Sequence, residues 1–241
     1  MTYAADNGAC IASCSFGSPA GKSYYYESDN LYKAEAGVEY DAIQYFIDPA
    51  NANCDAVEGN IIVFSTGNSG KNMAGYPGAL KDVIGVSAFG PDLLPTAFTN
   101  YGPGTNISAP GGDQDYYWDY VDENHRLGEI GCVLSTLPFH VSETGYGYME
   151  GTSMACPHVS GVAALGLAYA KQLGRHFTWE EFKQLMYTSG RDIEEYFTGE
   201  KLYYMRHSSA GATPIKMNLT DYRVVNNKGI GAGQTVFHLH F

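Results

Sequence analysis

Residues 60–65 read Asn60-Ile61-Ile62-Val63-Phe64-Ser65, a continuous apolar run that leads into Thr66-Gly67-Asn68-Ser69-Gly70. A run without polar alternation is the mark of a parallel strand buried on both faces. Two more short runs follow, residues 83–88 (VIGVSA) and 107–109 (ISA), each bounded by Gly or Pro. Upstream, residues 9–15, from Ala9 to Ser15 (ACIASCS), read as a fourth buried strand after a helix end at Asn7-Gly8. Between the strands, Val38, Ala42, Ile43 and Phe46 form a helical stripe. Residues 18–31 are polar and Tyr-rich and read as a loop. A helix from about Ser153 to Leu173, with small residues all round, is expected to be packed on every side. Thr178 and Glu181 form a capping box that opens the next helix, with Phe182, Leu185 and Met186 on one face. The alternation of strands and helices predicts an α/β fold around a parallel sheet.

Composition limits the function. Apolar residues make up 44% and charged residues 17%, which excludes a disordered chain and a coiled coil. Lys and Arg number 14 against 26 Asp and Glu, a net charge of −12, and such a surface repels phosphate backbones. Nucleic acid is therefore not an expected partner. The longest nearly apolar stretch, residues 159–170, is too short for a membrane span. The five cysteines leave at least one unpaired within the chain, and they lack zinc-site spacing. The start of the chain has neither the basic nor the apolar segment of a signal peptide.

The chemistry concentrates in Gly151-Thr152-Ser153-Met154-Ala155-Cys156-Pro157-His158-Val159-Ser160-Gly161. Here a serine opens a helix, where unpaired N–H groups and the helix dipole favour negative charge. Pro157 is placed in the first turn, where its missing N–H costs nothing. A lone serine at that position is more often a cap than a nucleophile. The second segment, Ser65 to Gly70, changes the balance: Asn68 follows the end of a buried strand, where open α/β sheets place their sites, and its amide can donate to an oxyanion.

On these two segments the chain resembles the subtilisin-like serine proteases. GTSMACPHVSG is similar to the family's nucleophile motif and STGNSG to its oxyanion-asparagine motif. Tyr76-Pro77-Gly78, Phe98-Thr99-Asn100-Tyr101-Gly102-Pro103, Ala109-Pro110-Gly111 and Ser135-Thr136-Leu137-Pro138 match further family signatures in order. The resemblance implies a three-layer, parallel-sheet subtilisin-like fold. It implies Ser153 as nucleophile and Asn68, with the Ser153 N–H, as oxyanion hole. Ser15, Phe16 and Gly17, together with Thr66 and Gly67, would bind an extended polypeptide substrate. It also implies export, to the medium, periplasm or cell surface.

The same resemblance exposes a gap. The family's Asp and His precede its serine, in D-[ST]-G and H-G-T-H motifs, and neither motif is present. All seven histidines follow Asn68, and His158 is expected to face away from Ser153. Residues 1–241 are therefore expected to be the C-terminal portion of one catalytic domain, with the N-terminal strands missing and an insertion at 112–131. The chain alone is expected to be inactive; the alternative class is a pseudoprotease or a peptide-binding module. Residues 9–15 should then form a bare sheet edge open to self-association. No cofactor is expected. Calcium at Asp113, Asp115, Asp119, Asp122 and Glu123 is the lesser reading, and a solvated acidic loop the preferred one.

Overall fold

A computed structural model describes residues 1–20, 26–117, 123–126, 128–204, 214–219 and 237–238. Four parallel strands form the centre of the sheet: β1 (Ile11–Cys14), β2 (Ile61–Ser65), β3 (Ile84–Phe89) and β4 (Ile107–Pro110). The register pairs Ser13 with Val63, Val63 with Ile84, and Val86 with Ile107. β7 (Arg191–Asp192) and β10 (Phe237–His238) extend the sheet beyond β4, and among the described residues β1 forms its opposite edge. Two hairpins stand outside it, β5 (Val133–Thr136) with β6 (Tyr146–Met149), and β8 (Glu200–Tyr204) with β9 (Pro214–Asn218).

The unbroken apolar run of β2 is explained by its two faces, since successive side chains of a strand point to opposite sides. Ile61 and Val63 enter a core with α4 (Thr152–Gln172) and α5 (Trp179–Thr188). Ile62 and Phe64 enter a second core with α1 (Thr2–Asp6), α2 (Asp29–Glu35) and α3 (Gly37–Ile47). The result is the expected three-layer α/β arrangement. In α4, Ala155, Val159, Ala163 and Leu167 recur every fourth residue and lie on the sheet. The alanines let the helix backbone sit close to the strands, which sets the depth at which its first turn meets their C-terminal ends.

Several expectations need correction. α4 is not packed on every side: Leu165 and Tyr169 are 65% and 62% exposed on its outer face. Small residues permit close packing without requiring it. The capping box of α5 forms, but Leu185 is exposed while Phe182 and Met186 are buried. In α3, Ile43 and Phe46 are buried but Val38 points to solvent. The segment 18–31 ends as a helix, because Ser28 caps the Leu31 N–H and starts α2.

The acidic segment is not simply a solvated loop. Asp113 is fully buried, and its carboxylate pairs with Lys201 of β8 at 2.6 Å. Lys201 also meets Asp92 at 2.8 Å and lies over the Tyr116 ring. The counter-charge comes from far along the chain, so no local pattern reveals it. Asp119 and Asp122 lie outside the described residues. Among the described residues no group of three or more acidic, His or Cys side chains could hold a metal ion.

Burial pushes the Asp113 carboxyl up to about 6, against the lowering pull of Lys201. A raised carboxyl keeps its proton in the folded state to higher pH than in the unfolded chain. Its contribution to stability is therefore greatest below about pH 4 and falls as pH rises towards 6. Melting temperatures of the chain and of Asp113→Asn, measured from pH 4 to 6.5, check this. The difference, original minus variant, should decline across that range; a constant or growing difference would contradict it.

Candidate active site

The cleft lies where β1 and β2 end and α4 begins. It encloses about 240 Å³ and is lined by Ser15, Phe16 and Gly17 on one side and Thr66, Gly67 and Asn68 on the other, with Thr152 and Ser153 at its floor. All seven site residues expected from the sequence come together here.

Gly151 is the N-cap of α4, with φ +146, a conformation that favours glycine. A Cβ at that position would also sit 3.3 Å from the Asn68 Nδ2 atom. Thr152 follows, and its role was missed in the sequence. Its backbone N–H and its hydroxyl both donate to Asn68 Oδ1, at 2.9 and 2.8 Å. A backbone N–H can only donate, so the oxygen of the Asn68 amide must face Thr152. Its NH2 group is thereby left on the other side, towards the cleft. The Gly67 N–H donates to the Thr152 hydroxyl at 3.2 Å and completes the clamp.

Asn100 is the second residue whose part was missed. It is fully buried, and its Oδ1 accepts from the Ser69 and Lys71 N–H groups, both at 3.1 Å. Its Nδ2 donates to the Thr66 carbonyl at 2.8 Å. Asn100 thus holds the Ser65-to-Gly70 turn from behind, and a Cβ at Gly67 would meet its side chain at 2.6 Å. The signal was present in both cases, since Thr152 and Asn100 each stand inside a quoted motif. On the opposite wall, the Ser18 N–H donates to the Tyr76 carbonyl at 2.7 Å, and the Tyr76–Pro77 peptide is cis. A side chain at Gly17 would strike the same Tyr76 carbonyl, 2.9 Å away.

Pro157 is not in the first turn. The helix starts at Thr152, so Pro157 is well inside it and removes the N–H that would bind the Ser153 carbonyl. The Ser15 hydroxyl fills that role, donating to the Ser153 carbonyl at 2.7 Å. In return the Ser153 hydroxyl donates to the Ser15 carbonyl at 3.3 Å. The reciprocal pair locks the end of β1 to the first turn of α4.

Ser153 lies in the first turn of α4, where the N–H groups lack intrahelical acceptors and the dipole is positive. Cys156, one turn on, is a poor nucleophile: burial pushes its thiol up, and it donates to the Val63 carbonyl at 3.4 Å. His158 Nδ1 lies 2.8 Å from the Met154 carbonyl, one turn back, and so is tied to its own helix. No His, Asp or Glu is among the described residues that line the cleft.

A sequence model of the subtilase family matches residues 1–227. The chain belongs to that family. Among curated relatives, the alkaline elastase YaB of Bacillus sp. (strain YaB) is 31% identical over 165 residues, which is 68% of this chain and 32% of that protein. Thermitase of Thermoactinomyces vulgaris is 29% identical over 68% of this chain and 43% of its own length. The extracellular basic protease of Dichelobacter nodosus is 32% identical over 53% of this chain and 19% of its own. The chain thus spans less than half the length of each of these relatives. In fold it is similar to a lanthipeptide protease, with a TM-score of 0.57 and 23% identity over 80% of this chain and 58% of that one. The prenylagaramide maturation protease PagA gives 0.55 and 24% over 83% and 58%.

The reciprocal serine pair is open to a direct check. Ser15→Ala should cost about 1 kcal/mol in urea unfolding, since it leaves the Ser153 carbonyl without a donor. In a Pro157→Ala background the restored N–H at position 157 can reach that carbonyl, and the same substitution should cost less than half as much. Equal costs in the two backgrounds would show that Pro157 is not the cause.

Proposed function

We propose that this chain carries the nucleophile half of a subtilisin-type serine endopeptidase centre. The observation that carries the proposal is the fixed Asn68 amide beside Ser153 at a helix N-terminus. An extended polypeptide lies along the backbone of Ser15, Phe16 and Gly17, with Thr66 and Gly67 opposite. Ser153 Oγ attacks the scissile carbonyl carbon. The carbonyl oxygen becomes an oxyanion, held by Asn68 Nδ2 and the Ser153 N–H. Collapse of the tetrahedral species breaks the C–N bond, releases the amine and leaves an acyl-enzyme, which water then hydrolyses. Family membership and the names of the relatives support an exported enzyme acting on polypeptides.

The attacking hydroxyl must lose its proton to a base. In this chain it donates to the Ser15 carbonyl, which cannot take that proton. Catalysis therefore needs an imidazole brought to the cleft by polypeptide other than the described residues. Without it, the cleft binds peptides and does not cut them. β1, as the sheet's edge, offers a place where such polypeptide, or a second copy of the chain, adds a strand.

Two measurements on the 241-residue chain test this reading. It should leave casein uncut and should react with a fluorophosphonate no faster than free serine. Addition of a polypeptide with the family's Asp and His motifs should restore labelling at Ser153. Rapid labelling of the chain alone would refute the need for an added base; failure to label Ser153 in the restored protein would refute its role.

A further inference from the structure

Cys10 stands just before β1, and Cys54 lies in the loop that leads to β2. The chain folds so that the two cysteines come to neighbouring positions. Cys10 Sγ donates to the Asn53 carbonyl, next to Cys54 in the chain, at 3.1 Å. Both backbones are held independently of the thiols. The Cys10 carbonyl accepts from the Ile61 N–H at 2.9 Å. The Asn53 N–H donates to Asn60 Oδ1 at 2.9 Å, and Asn53 Nδ2 donates to the Ala5 carbonyl at 2.7 Å. The two cysteines are thus carried side by side on two anchored segments.

The other cysteines are not placed in this way. Cys14 packs in the core on the α1–α3 side of the sheet and Cys156 in the core on the α4 side. Cys132 donates to the Gly128 carbonyl at 3.6 Å, in its own turn. Cys10 and Cys54 are half-buried, so a small disulfide oxidant can reach them.

We propose that Cys10 and Cys54 are a cross-linking site, and that their disulfide staples the start of the edge strand β1 to the loop before β2. With oxidised glutathione, the Cys54 thiolate attacks one glutathione sulfur and a glutathione thiolate leaves. Cys10 then loses its proton and attacks Cys54 Sγ, and the second glutathione thiolate leaves. The protein gives up two electrons and two protons, and one oxidised glutathione becomes two reduced molecules. Burial first, and Cys54 second, push the Cys10 thiol up to about 11, so the closing step quickens as pH rises above neutral. The staple closes a loop that contains α2 and α3. It steadies the strand whose far end carries Ser15 into the cleft.

The test is to incubate the full chain with oxidised glutathione at pH 8, block remaining thiols, digest with pepsin in acid and map the linked peptides. Free thiols should fall from five to three, with Cys10 joined to Cys54. The melting temperature should rise by roughly 5–10 °C over the reduced chain. The rise should vanish in Cys54→Ser and persist in Cys132→Ser. Five free thiols after incubation, or a link from Cys10 or Cys54 to another cysteine or another copy, would overturn the proposal. The peptide map needs only the unsubstituted chain, so it decides even if Cys54→Ser fails to fold.

Discussion

The site depends on one short contact, the donation of the Thr152 N–H and hydroxyl to Asn68 Oδ1. This contact ties the start of α4 to the turn after β2. It also settles which way the Asn68 amide faces. An asparagine on an exposed turn would otherwise sample both orientations, and only one presents a donor to the cleft. Orientation fixed before the reaction is what makes such a donor effective, since no reorganisation is then needed as charge develops.

The rest of the architecture holds that contact in place. α4 lies across all four parallel strands on small residues, which fixes its depth. Asn100 holds the turn from behind, and Ser15 answers the carbonyl that Pro157 leaves open. The proline therefore has two consequences. It removes a bond from the helix, and it leaves open the acceptor that draws the end of β1 to the first turn of α4.

The strands were legible because burial on both faces imposes a simple rule, an unbroken apolar run, and β2 obeys it. That Ser153, Asn68 and the residues of the two cleft walls meet in one place was legible through the resemblance of their motifs to those of the subtilisin-like family. Thr152 was not, since its function is to orient a neighbour distant in the chain. The same holds for Asp113, whose partner Lys201 is set by tertiary packing alone. The exposed face of α4 was misread because small residues allow contact on any side, while the neighbours decide which sides are used.

The central claim is that Thr152 acts through Asn68. A double-substitution cycle in the protein restored with the family's Asp and His tests it most directly. Asn68→Ala should lower kcat by about 10²–10³, the magnitude that loss of the oxyanion donor has in subtilisin, a relative. Thr152→Val should lower kcat about tenfold when Asn68 is present, through the lost hydroxyl, and by almost nothing once Asn68→Ala has been made. Losses that simply multiply would contradict the account.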